Sequence, residues 1–154
     1  MIARTASTAL VAAGTLFGAL SLSPALAQQG GDAILGFWKT PHGATVEVVP
    51  CATGICGDIV EMDAQDGVPG PQVRDVNHPN PDRRDRKLLG TRIMRKVVKT
   101  GPNEWKGRAY HPKHGLRMAP TITLVGDGRM KLTACLKKAP SICQDEYWQR
   151  VNGS

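Results

Sequence analysis

The hydrophobic and polar positions of this chain change their pattern after the first 27 residues. A mainly apolar run comes first, and short stretches of alternating apolar and polar residues follow, separated by Gly, Pro and Asn. Alternation with a period of two is typical of strands that bury one face. The stretches are residues 44–49, 55–60, 91–99, 104–110, 121–125, 130–136 and 145–151. Short strands at this spacing predict an all-β sandwich or barrel.

The first two stretches predict a hairpin that turns at Ala52-Thr53-Gly54. If Cys51 faces Cys56, then Val48 lies opposite Ile59, and Val46 shares their apolar face. A one-residue slip would send these side chains to the other face, so the register matters. We expect this face to belong to the core.

Aromatic residues mark both ends of the alternating region: Trp38 near its start, and Trp148 with Arg150 near its end. An indole across the barrel floor with a guanidinium stacked on it would contribute roughly 0.5–2 kcal/mol. This pattern predicts that the first and last strands close a small antiparallel barrel of about eight strands. It also predicts that the functional mouth lies at the opposite end.

Residues 62–87 interrupt the alternation with a stretch rich in Pro and Asp. Loops this long are uncommon in compact domains and are often functional. We interpret the stretch as an ordered lid or a crossover beside the barrel. If its end is extended, Arg84 and Arg86 point the same way and converge on a carboxylate or phosphate. The alternative is a salt-bridged segment whose carboxylates come from Asp75, Asp82 and Asp85.

The first 27 residues have the features of a secretory signal peptide: Arg4, a short apolar run and an Ala25-Leu26-Ala27 end. The alternative, a membrane anchor, needs about 20 apolar residues. We therefore expect cleavage after Ala27, one domain over residues 28–154 without a transmembrane segment, and a periplasmic or secreted location.

Four cysteines follow the predicted cleavage site, an even number that suggests two disulfides in an exported protein. We favour the local pairs Cys51–Cys56 and Cys135–Cys143, because each pair brackets a turn. A zinc site is the alternative, but these spacings fit it poorly.

Loss of Arg4 with the signal lowers the formal net charge from +7 to +6. This excess of positive charge either keeps the protein soluble or attracts an anionic partner, such as an envelope polymer. We expect no nucleic-acid partner, because the chain lacks a recognisable binding motif.

The residues offer little for catalysis. Ser141 and Ser154, the serines of the predicted mature chain, lack a nucleophile-elbow context. We expect the four histidines at surface turns, and the His111-x2-His114 spacing beside a proline predicts no metal site. A catalytic pair of carboxylates is a remaining alternative, since Glu47 and Asp58 share a face of the predicted hairpin. A position of both residues on the outer surface of the barrel explains the same pattern.

A set of short motifs occurs in order from Gly36 to Val151. They are Gly36-Phe37-Trp38, Cys56-Gly57 with Ile59, Asp75-Val76-Asn77, Asn80-Pro81, Arg84-x-Arg86-x-Leu88-x-Gly90, Trp105-x-Gly107, Tyr110-x-Pro112-x-x-Gly115 and Trp148-x-Arg150. Together they resemble a bacterial exported family known as domain of unknown function 2147. The resemblance implies a lipocalin-like barrel that holds a small, partly apolar molecule, without an established activity or cofactor.

These observations predict a non-enzymatic binder of a small amphipathic or anionic-headed ligand. Arg84, Arg86 and Asn80 would hold the polar head, and Trp105 and Tyr110 would line the cavity. One alternative is an envelope protein that binds an anionic polymer or a partner protein through its basic surface. The other is a hydrolase that uses an Asp/Glu pair.

Overall fold

A computed structural model describes residues 32–126, 128–136 and 139–153. The predicted signal peptide, residues 1–27, lies outside these residues. Nine strands make up most of the described chain. They are β1 (Gly36–Lys39), β2 (Ala44–Cys51), β3 (Gly54–Met62), β4 (Arg92–Gly101), β5 (Glu104–His111), β6 (Leu116–Met118), β7 (Thr121–Val125), β8 (Arg129–Leu136) and β9 (Ala139–Val151). Within the described ranges, no helix has the length and apolar character needed to cross a bilayer.

Eight of these strands close into a ring. The sheet order is β4-β3-β2-β1-β9-β8-β7-β5, and β4 pairs with β5 to complete the circle. The pairings that define the ring are antiparallel. Short β6 pairs with β5 outside the ring. The predicted antiparallel barrel of about eight strands is therefore confirmed.

The hairpin of β2 and β3 has the predicted faces but not the predicted register. Val48 lies opposite Gly57, and Val46 lies opposite Ile59. Cys51 pairs with Gly54 across a two-residue turn, so the expectation that Cys51 faces Cys56 is wrong. The error equals two residues, and side chains alternate with a period of two, so Val46, Val48 and Ile59 still share the buried face.

One end of the barrel is filled by large side chains. Trp38 and Trp105 are fully buried, and they pack in one cluster with Met94, Ile122 and Met130. The indole of Trp38 donates a hydrogen bond of 2.9 Å to the Ile34 carbonyl, which ties the chain before β1 to the barrel floor. This end therefore contains a packed core.

Arg150 fastens the two ends of the chain at the same floor. Its guanidinium carbon lies 4.2 Å from the centre of the Trp38 ring. Its Nη1 donates to the Leu35 carbonyl at 2.9 Å, and Nη2 donates to the Ala33 carbonyl at 2.5 Å. Because β1 pairs directly with β9, these contacts lie across the seam between the first and last strands.

Two disulfides join the pairs Cys51–Cys56 and Cys135–Cys143. The first brackets the turn between β2 and β3. The second joins residues that face each other on β8 and β9. Both are local pairs, as the cysteine spacing predicted.

Residues 63–91 form a folded connection between β3 and β4 that packs over the other end of the barrel. Two 3-10 turns, Gly70–Gln72 and Pro81–Arg83, give it internal structure. Gly70 lies so close to β3 that a Cβ there would be 1.7 Å from the Met62 carbonyl oxygen. The connection is therefore an ordered part of the barrel mouth.

Candidate functional site

A cavity of about 1330 Å³ opens at the end of the barrel opposite Trp38. Its walls come from the β1–β2 loop, from parts of β3, β4, β5 and β9, and from the connection at residues 63–91. Ligand cavities in proteins commonly measure about 300–1,000 Å³. The space is therefore sufficient for a small organic molecule.

The cavity wall combines an apolar band with polar groups. The apolar members include Ala44, Ile59, Met62, Ala64, Val68, Val73, Val76, Leu88, Ile93 and Trp148. Val68 and Val76 are exposed, so the apolar surface extends to the rim. The charged members of the wall are of both signs: Arg74, Lys87 and Lys113 are basic, and Asp63, Asp66 and Glu146 are acidic. The cavity can therefore receive an apolar body together with a polar group.

Two histidines and a glutamate meet on this wall. Oε2 of Glu146 lies 3.2 Å from Nε2 of His111 and 3.4 Å from Nε2 of His42. The centres of the two imidazole rings are 4.8 Å apart. Trp148 donates its indole N–H to the other carboxylate oxygen, Oε1, at 2.6 Å. We name His42, His111 and Glu146 the His–Glu cluster; its ligand atoms lie close enough together to hold a metal ion.

The electrostatics of the His–Glu cluster favour an ionised Glu146 beside a neutral His42. Burial raises the pKa of Glu146, but hydrogen bonds from His111 and Trp148 and the charges of both histidines outweigh it and lower that pKa below the ordinary value. Burial lowers the pKa of His42, and the charges of His111 and Lys113 add to this effect against the opposing Glu146. At neutral pH the cluster therefore offers a carboxylate and an unprotonated imidazole.

A second polar group lies where residues 63–91 meet β5. Asp75 has a relative exposure of 1 %, and its carboxylate accepts a hydrogen bond of 2.5 Å from the Tyr110 hydroxyl. Arg86 donates from Nε and Nη2 to the other oxygen, at 2.9 and 2.6 Å. A buried carboxylate needs such partners. The group fastens the connection to the barrel, and Tyr110 also lines the cavity.

The predicted convergence of Arg84 and Arg86 on an anion is not what the structure shows. Arg84 has right-handed helical dihedrals after the Pro81–Arg83 turn, so the extended geometry behind the prediction is absent there. Its Nε donates to the His78 carbonyl at 2.9 Å, while Arg86 pairs with Asp75. The alternative of a salt-bridged segment describes Arg86, with Asp75 as its partner.

Among the predicted ligand-binding residues, Tyr110 lies on the cavity wall. Trp105 lies in the packed core, and the wall does not include it. Asn80 caps the Pro81–Arg83 turn by accepting a hydrogen bond of 3.0 Å from the Asp82 N–H. For a ligand in this cavity, contact with Asn80, Trp105 and the two arginines stays a prediction.

The expectation that the histidines occupy surface turns is wrong for His78, which has a relative exposure of 2 %. Its Nδ1 accepts a hydrogen bond of 3.0 Å from the Asn80 N–H, so it stabilises the connection. His42 and His111 are half-buried at the cavity, and only His114 is exposed among the four.

Glu146 is a cavity residue that was not among those predicted from the sequence. A usable signal was present, since Glu146 precedes Trp148 by two residues on β9 and therefore points the same way. Glu47 and Asp58 do lie opposite each other on β2 and β3. Asp58, however, is bound by Arg92 through hydrogen bonds of 2.7 and 2.8 Å, away from the cavity.

Comparison with known proteins agrees with this architecture. The family model described as "Uncharacterized protein conserved in bacteria (DUF2147)" matches residues 36–150. Among solved structures, protein HP1028 from Helicobacter pylori, described as belonging to the lipocalin family, is similar with a TM-score of 0.63. The two are 18% identical over 77% of this chain and 82% of that chain, so this likeness shows the fold alone. No curated protein matches. The chain belongs to the DUF2147 family, and its barrel is lipocalin-like.

Proposed function

We propose that this protein binds a small amphipathic molecule in the cavity at the mouth of its barrel, without catalysing a reaction on it. The observation that carries the proposal is the cavity of about 1330 Å³, which remains although the other end of the barrel is filled. Barrels of about eight strands are wide enough to hold one small ligand. Burial of an apolar body would contribute roughly 25 cal/mol per Å² of surface removed from water.

The apolar part of the ligand would lie against the band that includes Ile59, Leu88 and Ile93. Its polar end would lie towards the rim, where the exposed residues Lys87 and Lys113 would contact an anionic group, on a wall that also carries Asp63 and Asp66. This arrangement differs from the prediction based on Arg84 and Arg86, because Arg86 already neutralises Asp75. In the proposed arrangement, Lys87 and Lys113 are the positive groups nearest to the polar end of the ligand.

The proposal includes export of the protein from the cytoplasm. Two disulfides support an oxidising compartment such as the bacterial periplasm. In that compartment a barrel with a solvent-reachable cavity can take up and release a small molecule. The predicted signal peptide would bring it there.

Titration with 1-anilinonaphthalene-8-sulfonate, a fluorescent probe with an apolar body and an anionic head, tests the proposal. The variants Ala44→Phe and Val73→Phe add volume on the cavity wall. Val98→Phe adds the same ring on an exposed strand position and is the control. We expect saturable binding that each filling variant weakens about tenfold, equivalent to about 1.4 kcal/mol.

Circular dichroism should show that all three variants keep the β fold. Equal probe binding in the filled variants, the Val98→Phe control and the unaltered protein would contradict the proposal. Such a result would point to the basic surface rather than the cavity as the place where anionic partners bind.

A further inference from the structure

The His–Glu cluster has a donor set that an apolar ligand would not use. His42 follows β1, His111 ends β5, and Glu146 lies on β9. The barrel therefore brings together three side chains that are far apart in the sequence. Two imidazoles and a carboxylate are ligands that zinc and neighbouring divalent transition metals accept.

We propose that His42, His111 and Glu146 bind a divalent transition-metal ion, with zinc as the reference case. The three ligand atoms all lie within 4.8 Å of one another. A tetrahedral site with bonds of about 2.0–2.2 Å separates its ligand atoms by about 3.3–3.6 Å. The distances from Glu146 Oε2 to Nε2 of His42 and His111, 3.4 and 3.2 Å, come close to that separation before any adjustment.

The environment of Glu146 orients its carboxylate for this role. Trp148 holds Oε1 through its indole N–H, and this leaves Oε2 directed at the two imidazoles. Partners of this kind, which hold a ligand without touching the metal, commonly change affinity about 10–100-fold. Trp148 is itself buried, so the orientation of the carboxylate is fixed by the core.

The charge balance of the site allows a cation. Glu146 supplies one negative charge, and an imidazole binds a metal ion through a nitrogen lone pair. Lys113 opposes the cation because it lies near His42, but its ammonium group is exposed and therefore screened by solvent.

Three protein ligands leave at least one coordination position for another donor. Because all three side chains line the cavity, that position would be reached from the cavity. A water molecule or an anionic group of a bound molecule would complete the coordination. The metal site goes beyond the proposed binding of an amphipathic molecule and does not depend on it.

Isothermal titration of the untagged, chelator-treated protein with Zn²⁺ tests the site, with Mg²⁺ as a hard cation for comparison. We expect one saturable Zn²⁺ site per chain and no comparable Mg²⁺ binding. His42→Ala, His111→Ala and Glu146→Gln should each weaken Zn²⁺ binding about tenfold or more, because each removes a ligand. Cobalt(II) should give the intense visible absorption of a four-coordinate site, and His42→Ala should lose it.

The matched control is His114→Ala, since the centre of the His114 ring lies 4.7 Å from that of His111 but His114 is outside the three-residue set. Its Zn²⁺ affinity should stay close to that of the unaltered protein. Absence of saturable Zn²⁺ binding, or equal affinities in the His42→Ala, His111→Ala and His114→Ala variants, would overturn the assignment.

The experiments distinguish a failure of the metal site from a failure of the proposed ligand binding. Val73→Phe should weaken binding of the fluorescent probe and keep Zn²⁺, because Val73 lines the cavity but is not a member of the His–Glu cluster. Probe binding without any Zn²⁺ site would overturn the metal assignment alone, and a Zn²⁺ site without probe binding would overturn the binding proposal alone. Circular dichroism and intact disulfides in every variant exclude unfolding as the cause.

Discussion

The Tyr110 hydroxyl donates a hydrogen bond of 2.5 Å to the buried carboxylate of Asp75. This contact joins the connection over the barrel mouth to strand β5, across 35 positions of sequence. Because Tyr110 also lines the cavity, the same side chain links the stability of the mouth to the shape of the binding site.

Tyr110→Phe should lower the free energy of unfolding by about 1.5–3 kcal/mol, the usual range for a hydrogen bond to a charged group. The change leaves the ring in place and removes only one partner of Asp75. Urea unfolding followed by tryptophan fluorescence measures the difference. The control Tyr147→Phe alters an exposed ring and should change stability by less than about 0.5 kcal/mol. Equal effects of the two substitutions would argue against the contact.

Alkaline pH should weaken the same contact. Burial, followed by the hydrogen bond and charge of Asp75, raises the pKa of Tyr110 above its ordinary value. The folded state therefore keeps the phenol proton more tightly than the unfolded state does. This contribution to stability is complete below about pH 10, the ordinary tyrosine pKa, and declines as the pH rises further.

Ultraviolet difference titration of the unaltered protein against Tyr110→Phe isolates this phenol. We expect its midpoint above the ordinary tyrosine range while the protein remains folded. A midpoint near pH 10 would show that the hydroxyl is free in solution.

Gly115→Ala should loosen the mouth of the barrel. A Cβ at Gly115 would lie 1.9 Å from the Asn77 carbonyl oxygen, and the residue has a φ of 61°. Gly126→Ala is the matched control, because Gly126 has a φ of 67° but open space around its Cβ position. Both variants carry the backbone strain, and only Gly115→Ala adds the clash.

Hydrogen exchange across residues 63–91 measures that difference. We expect faster exchange in Gly115→Ala than in Gly126→Ala. Matching exchange in the two variants would mean that the Gly115 turn does not press against Asn77.

Arg150→Ala should destabilise the closed end of the barrel by about 1–3 kcal/mol, through loss of its stacking on Trp38 and its hydrogen bonds to two carbonyls. Thermal unfolding compared with Arg108→Ala, a change at an exposed arginine, measures this effect. Probe binding at the opposite mouth should be retained. An unchanged melting temperature would contradict the structural role of Arg150.

The sequence predicted the barrel because its alternation and its cysteine spacing reflect local geometry, and because its tryptophans mark the two strands that pair at the seam. The predicted register of the β2–β3 hairpin differed from the observed one by two residues, and such an error keeps each side chain on the same face of the sheet. The prediction that the core includes Val46, Val48 and Ile59 was therefore still correct.

The site was harder to predict because it depends on contacts between distant residues. His42, His111 and Glu146 come together only once the ring closes. The predicted convergence of Arg84 and Arg86 assumed an extended backbone, whereas the chain turns at Arg84. His78 is buried by the fold of the connection, which its Pro-rich sequence did not indicate.

The most direct test of the binding proposal is native mass spectrometry of the protein purified from the envelope of its own bacterium. We expect a discrete mass above that of the disulfide-bonded chain, released under mild activation and lost or greatly reduced in Val73→Phe but present in Val98→Phe. A bare chain mass in all three proteins, or an adduct that persists unchanged when the cavity is filled, would show that the cavity is not the binding site.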